Sequence, residues 1–122
     1  LSNIKVKLNI EGNYIEPEPY NQLHIIRIIQ EALSNVRRHS EASIANVDIQ
    51  FKNNSICVVI QDNGCGFDEK KLHASNNLLS QGIKIMKKRA SILGSSLTIE
   101  SVVNEGTKVR LDIPVERWLG SN

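Results

Sequence analysis

Ile4, Val6, Leu8 and Ile10 alternate with Lys5, Lys7 and Asn9 near the start of the chain. A period of two predicts a strand with one buried face. Pro17 and Pro19 end it, and from residue 20 to about residue 39 the period changes. Ile25, Ile29, Ala32, Leu33 and Val36 fall on one side at helical spacing, which predicts a helix docked on a core. Ala45, Val47, Ile49 and Phe51 then alternate with polar residues as a second strand. Residues 52–55 read as a turn, and residues 56–61 as a third strand returning beside the second. A glycine-bearing loop follows at 62–67. The next stretch, 68–81, is polar and without periodicity and predicts a mobile loop. Residues 82–93 read as helix, with Gly94 as its C-terminal cap. Two more strands are expected at 97–103 and 107–113. In the last, Val109, Leu111 and Ile113 face inward while Lys108, Arg110 and Asp112 face outward.

The order strand, helix, hairpin, loop, helix, hairpin predicts an α+β fold. The architecture expected is a two-layer α/β sandwich, one mixed sheet with helices on one face. A length of 122 residues suits one domain with a single core, and 40% hydrophobic and 23% charged residues are ordinary for a globular chain. No apolar run approaches a membrane span, so no membrane contact is expected of this segment. The net charge of +2 gives no reason to expect nucleic acid, the nearest basic cluster being Lys84, Lys87, Lys88 and Arg89. Cys57 and Cys65 fit neither a zinc ribbon nor a redox pair and read as reduced thiols. The first residue is Leu1, already close to a strand, so the chain reads as a soluble fragment of something longer.

Chemistry enters on the polar side of the first helix. At 100° per residue, Glu31, Asn35 and Arg38 lie within roughly 60° of one another, opposite the apolar stripe. Such a triplet can be a solvated face. It can also serve a nucleotide triphosphate, with Asn35 as a neutral oxygen ligand to Mg²⁺, Arg38 as a phosphate partner and Glu31 as a base. The second feature is Asp62-Asn63-Gly64-Cys65-Gly66-Phe67, where a buried strand ends. Asp-Asn-Gly alone is turn chemistry. A turn needs neither a second glycine nor a carboxylate at the strand terminus, whereas a flat ligand would use both. The carboxylate can accept from the amino group of adenine, while guanine would set its carbonyl oxygen against another acceptor.

Two weaker features accompany these. Gln81-Gly82 opens the expected second helix, a natural seat for phosphate. Asn104-Glu105-Gly106-Thr107 forms the last turn, and the Thr107 hydroxyl could support an adenine site through water. His24 and His73 read as surface residues, and Trp118 as a cover for a core edge or an exposed remnant.

Taken in this order, the four features resemble the Bergerat ATP-binding fold of histidine kinases, type II topoisomerases, Hsp90-like chaperones and MutL proteins. Residues 31–39, EALSNVRRH, are similar to the N box, with Asn35 at the metal position, Arg38 where Lys or Arg is usual and His39 at the aromatic-or-His position. DNGCG at 62–66, with Asp62, Gly64 and Gly66, resembles the glycine box that holds adenine, and Gly106-Thr107 resembles the closing Gly-Thr motif. QEALSNVRRHSEAS, DNGCGF and GIKIMKKRASILG together are similar to sensor kinases that partner NarL-type response regulators, the nitrate/nitrite sensors among them. Such kinases usually carry a glycine at the position of Ile85 and often one at that of Ser80.

The resemblance implies the catalytic domain of a longer sensor kinase, spanning residues 1–122. It would bind Mg-ATP and transfer the γ-phosphate to a histidine of a dimerisation domain, from which a response regulator takes it. Glu31 would be the catalytic base, and Asn35, Arg38, His39, Asp62, Gly64, Gly66, Gly82 and Thr107 would hold nucleotide and metal. The parent would place this domain on the cytoplasmic side of a bacterial membrane. Two alternatives use the same residues: a free-standing serine kinase of the anti-sigma-factor type, and a noncatalytic module whose 68–81 loop is ordered by ATP.

Overall fold

The computed structural model describes residues 3–115. Five strands form one mixed sheet in the order β1-β2-β3-β5-β4. They are β1 (Lys5–Gly12), β2 (Ile44–Phe51), β3 (Ser55–Asp62), β4 (Ser96–Val102) and β5 (Gly106–Pro114). β1 runs parallel to β2, and all other neighbours are antiparallel. The helices α1 (Pro19–Asn35) and α3 (Leu78–Ile92) pack on one face, and a short α2 (Glu69–His73) precedes α3. This is the α+β sandwich the periodicities predict. Trp118 lies outside the described residues.

The core lies between the helices and the inward rows of β2, β3 and β5. Ile28, Val58, Ile60, Met86, Leu111 and Ile113 are its largest fully buried side chains. In β5 the inward row is Val109, Leu111 and Ile113, as the alternation requires. Gly94 takes φ +66 just past α3, and Ser95 N–H donates back to the Ala90 carbonyl. A left-handed residue that returns the chain in this way terminates a helix, as expected.

Four expectations need correction. Val6, Leu8 and Ile10 of β1 do not form a buried face: they are 52%, 63% and 55% exposed. They share a face with Ala45, Val47 and Ile49 of β2, but β1 is the sheet edge, and the helices cover its neighbours instead. The polar stretch 68–81 is largely helical rather than a loop. Asp68 caps α2 by accepting from Lys70 and Lys71 N–H, and Asn77 caps α3 by accepting from Ser80 N–H at 2.9 Å. Those caps let α3 begin at Leu78, so Gly82 lies inside the helix and not at its opening. Finally, His24 is not a surface residue. It is 7% exposed, with Arg89 of α3 donating to its Nδ1 at 3.2 Å and the Tyr20 ring edge-on to it. α1 buries one flank against α3 as well as one against the sheet, a contact no single-helix pattern encodes.

Candidate functional site

The end of α1 and the end of β3 meet over the sheet, and a pocket opens between them. Asn35, His39, Asp62, Gly66 and Thr107 line it, with an apolar floor that includes Ile60, Ile83, Met86 and Val109. Its empty volume is about 500 Å³, including space open to solvent.

Local winding puts the α1 residues there. After Asn35 the helix continues as a π-helical turn, Val36–Ser40, and stops at Glu41 with a left-handed φ of 56°. Single π turns widen a helix and are frequent at functional sites. The Ser40 hydroxyl donates to the Val36 carbonyl at 2.7 Å and accepts from Ala42 N–H. The Ser40 carbonyl accepts from Cys65 N–H at 2.6 Å, which joins this turn to the glycine loop. A Cβ on Gly64 would overlap Ser40, and one on Gly66, whose φ is +61°, would overlap the Val102 carbonyl. Both glycines are there because backbone passes too close for a side chain. Cys57 and Cys65 are free thiols, and the Cys65 thiol reaches the His39 carbonyl at 3.4 Å.

Asp62 ends β3 and is 6% exposed. One carboxylate oxygen accepts from Gly64 N–H at 2.8 Å. Burial pushes the Asp62 carboxyl above its ordinary value, and the backbone N–H groups of Gly64 and Thr107 pull it part of the way back. The native state therefore keeps this proton to higher pH than the unfolded chain does. The stability of the wild type relative to Asp62→Asn should be highest in acid. It should fall as pH rises from the usual carboxylate range through the raised native value, then level off. Urea unfolding of both proteins across that range measures it, and a difference that grows with pH would contradict the assignment.

On the other side of Asn35, Glu31, Arg38 and Gly82 come together. Arg38 stands 3.5 Å from the Glu31 carboxylate in a solvent-accessible pair. Such pairs contribute about 0–1 kcal/mol, so Arg38 can leave for a phosphate at little cost. A Cβ on Gly82 would lie 2.6 Å from Glu31 Oε2 and 3.6 Å from Asn35 Oδ1. Gly82 thus gives clearance to the acidic and amide side chains of α1. Seating phosphate at a helix N-terminus is not open to it.

The Asn35 Oδ1 is buried and has no hydrogen-bond partner. An orphaned neutral oxygen beside a carboxylate and a guanidinium fits a hard divalent cation such as Mg²⁺. Among the described residues no three His, Cys, Asp or Glu converge on a metal site. The side chain that would hold such a cation is Asn35.

Three contributors escaped the sequence reading. The Asn63 Oδ1 accepts from Ser43 and Ile44 N–H at 3.0 Å each, fixing the glycine loop to the start of β2. Ser40 secures the π turn. Ser101, 7% exposed, accepts from Phe67 N–H and contacts the Thr107 hydroxyl. Only Ser101 left a signal: it is a serine in the row of β4 that also carries Leu97 and Ile99.

A two-layer sandwich with an amide-bearing helix, an acidic strand end and a glycine loop around one pocket defines an ATPase-type domain. Residues 20–117 match the histidine kinase-, DNA gyrase B- and HSP90-like ATPase family, and the chain belongs to it. It is 41% identical over 92 residues to the sensor histidine kinase LiaS of Bacillus subtilis, covering 75% of this chain and 24% of that one. It is 36% identical over 94 residues to the histidine-protein kinase/phosphatase DegS of Brevibacillus brevis, covering 77% of this chain and 23% of that one. To the Staphylococcus aureus sensor protein VraS it is 36% identical over 95 residues, covering 77% and 26%. The chain thus spans about a quarter of these relatives' length. The fold is that of solved histidine kinases. The histidine kinase domain of the Erythrobacter litoralis EL346 blue-light activated kinase superposes with a TM-score of 0.72 at 22% identity, covering 90% of this chain and 52% of that one. The Acinetobacter baumannii kinase AdeS gives 0.75 at 12% identity, covering 95% and 56%. Among the described residues no helix is long and apolar enough to cross a membrane.

Proposed function

We propose that this domain binds Mg-ATP in the pocket and presents the γ-phosphate to a histidine on a dimerisation domain, in two-component signalling. The observation that carries the reading is Asp62: a buried acceptor at a strand end, beside two glycines that bring backbone close. Such an acceptor pairs with the amino group of adenine and repels the carbonyl oxygen of guanine. Asn35 would hold Mg²⁺, which when bound neutralises charge on the phosphates. Arg38 leaves its exposed pair to balance the transferring group. Glu31 takes the proton that the attacking imidazole nitrogen loses, and His39 closes the pocket wall beside Asn35. Positioning and charge balance are most of what phosphoryl transfer asks of a protein.

The relatives named above are sensor kinases, which favours histidine over serine as acceptor and transfer over a noncatalytic role. The acceptor histidine would belong to the dimerisation domain of the parent kinase. A response regulator of NarL type would then receive the phosphate, a reading that rests on the 30–43 and 82–94 sequence runs. The parent would hold this domain at the cytoplasmic side of the membrane.

Calorimetry with ATP and GTP on wild type and Asp62→Asn tests the adenine assignment. The wild type should prefer ATP. Asp62→Asn brings a donor to a site that needs an acceptor and should cost about 1–3 kcal/mol of ATP binding. Equal affinity of the wild type for the two nucleotides would defeat the reading.

A further inference from the structure

The β4–β5 hairpin forms the wall behind the glycine loop. Asn104 N–H donates to the Cys65 carbonyl at 2.6 Å, and Phe67 N–H donates to the Ser101 hydroxyl at 2.8 Å. Ser101 lies directly across from Thr107 in the β4–β5 pairing, with the two hydroxyl oxygens 2.8 Å apart. The Ser101 hydroxyl also reaches the Gly106 carbonyl at 3.2 Å. A serine hydroxyl has one proton and two lone pairs. Phe67 N–H occupies one lone pair. The Gly106 carbonyl, which can only accept, takes the proton. The second lone pair is then left for the proton of Thr107. This arrangement gives each of the three neighbours a partner at a side chain that is 7% exposed.

We propose that Ser101 is a positioning residue for base recognition: by accepting the Thr107 proton it fixes that hydroxyl as an acceptor toward the pocket. The inference rests on the reading of the pocket as an adenine site. With Thr107 fixed in this sense, the pocket presents two acceptors, Asp62 and Thr107, side by side. Adenine offers a donor, its amino group, to the first. Its N1 is itself an acceptor, so it meets Thr107 through one water that gives a proton to each. Ser101 therefore governs how well N1 is read. It does not itself touch the nucleotide.

The probe is 1-deaza-ATP, in which N1 is replaced by C–H while the amino group is kept. The wild type should bind ATP about 3- to 10-fold more tightly than 1-deaza-ATP, the worth of one net hydrogen bond. Thr107→Val should bring this ratio close to one. Ser101→Ala should do the same, even though Thr107 is retained, and the double variant should lose no more discrimination than either single one. Ser101→Cys, close in size and a weak hydrogen bonder, makes the same test should the alanine variant fail to fold. A merely structural serine would weaken both nucleotides equally and leave the ratio at its wild-type value. That result, or a wild type that binds ATP without discriminating, overturns the inference. Failure of the wild type to bind ATP at all would instead overturn the adenine site itself.

Discussion

Replacing Glu31 with glutamine is expected to slow phosphoryl transfer by about 10²–10⁴ while leaving ATP affinity nearly unchanged. The size of the effect follows from what the substitution removes. Glutamine keeps the shape of the side chain beside Gly82 but cannot take a proton from the attacking nitrogen. Binding is spared because Glu31 does not line the pocket, whereas Asn35, Asp62 and Thr107 do. The exposed contact with Arg38 is lost as well, but a pair of that kind is worth too little to disturb the fold. The measurement is radiolabel transfer from ATP to a separately supplied dimerisation domain carrying the acceptor histidine, with calorimetry on the same preparation. Transfer at the wild-type rate would remove Glu31 from the chemistry. A collapse of ATP affinity would make it a binding residue.

Residues whose roles are set by their own neighbours in sequence were legible, and those set by distant contacts were not. The inward row of β5 follows from alternation alone, and Gly94 announces the end of α3. Asp62 could be picked out because a charged residue ends a buried apolar strand just before two glycines. β1 shows where this kind of reasoning stops. Alternation says that Val6, Leu8 and Ile10 share a face, but only topology says that β1 is an edge which the helices leave open. His24 looks polar along α1, and its burial comes from Arg89 and Tyr20 closing over it. In the stretch 68–81 the caps Asp68 and Asn77 were visible residues with local meaning. Gly82 drew the helix start toward itself, because glycine more often marks an end than an interior. The π turn at Val36–Ser40 has no sequence signature in this chain. It is specified by Ser40 and by the glycine loop that docks on it.

The position that misled the sequence reading carries the sharpest separation of stability from activity. Gly82 is an interior residue of α3, where alanine is the better helix former by about 1 kcal/mol. Gly82→Ala should therefore fold at least as stably as the wild type, unless the new methyl group meets something that cannot move. What it meets is the tip of Glu31, 2.6 Å from Oε2 and 3.2 Å from Cδ. That tip is the far end of a partly exposed side chain, so the carboxylate swings aside and the helix keeps its place. The displacement is on the order of 1 Å, enough to cost about 10²-fold when a reacting group is misplaced. Gly82→Ala is thus expected to retain its melting temperature and lose about 10²-fold or more in transfer rate. Combined with Glu31→Gln it should add little further loss, since both changes act on one carboxylate. Thermal unfolding and the two-piece transfer assay on the single and double variants decide the matter. A Gly82→Ala protein that transfers phosphate at the wild-type rate would show that the clearance at Gly82 has no bearing on Glu31. A fully additive double variant would place the two residues in separate steps.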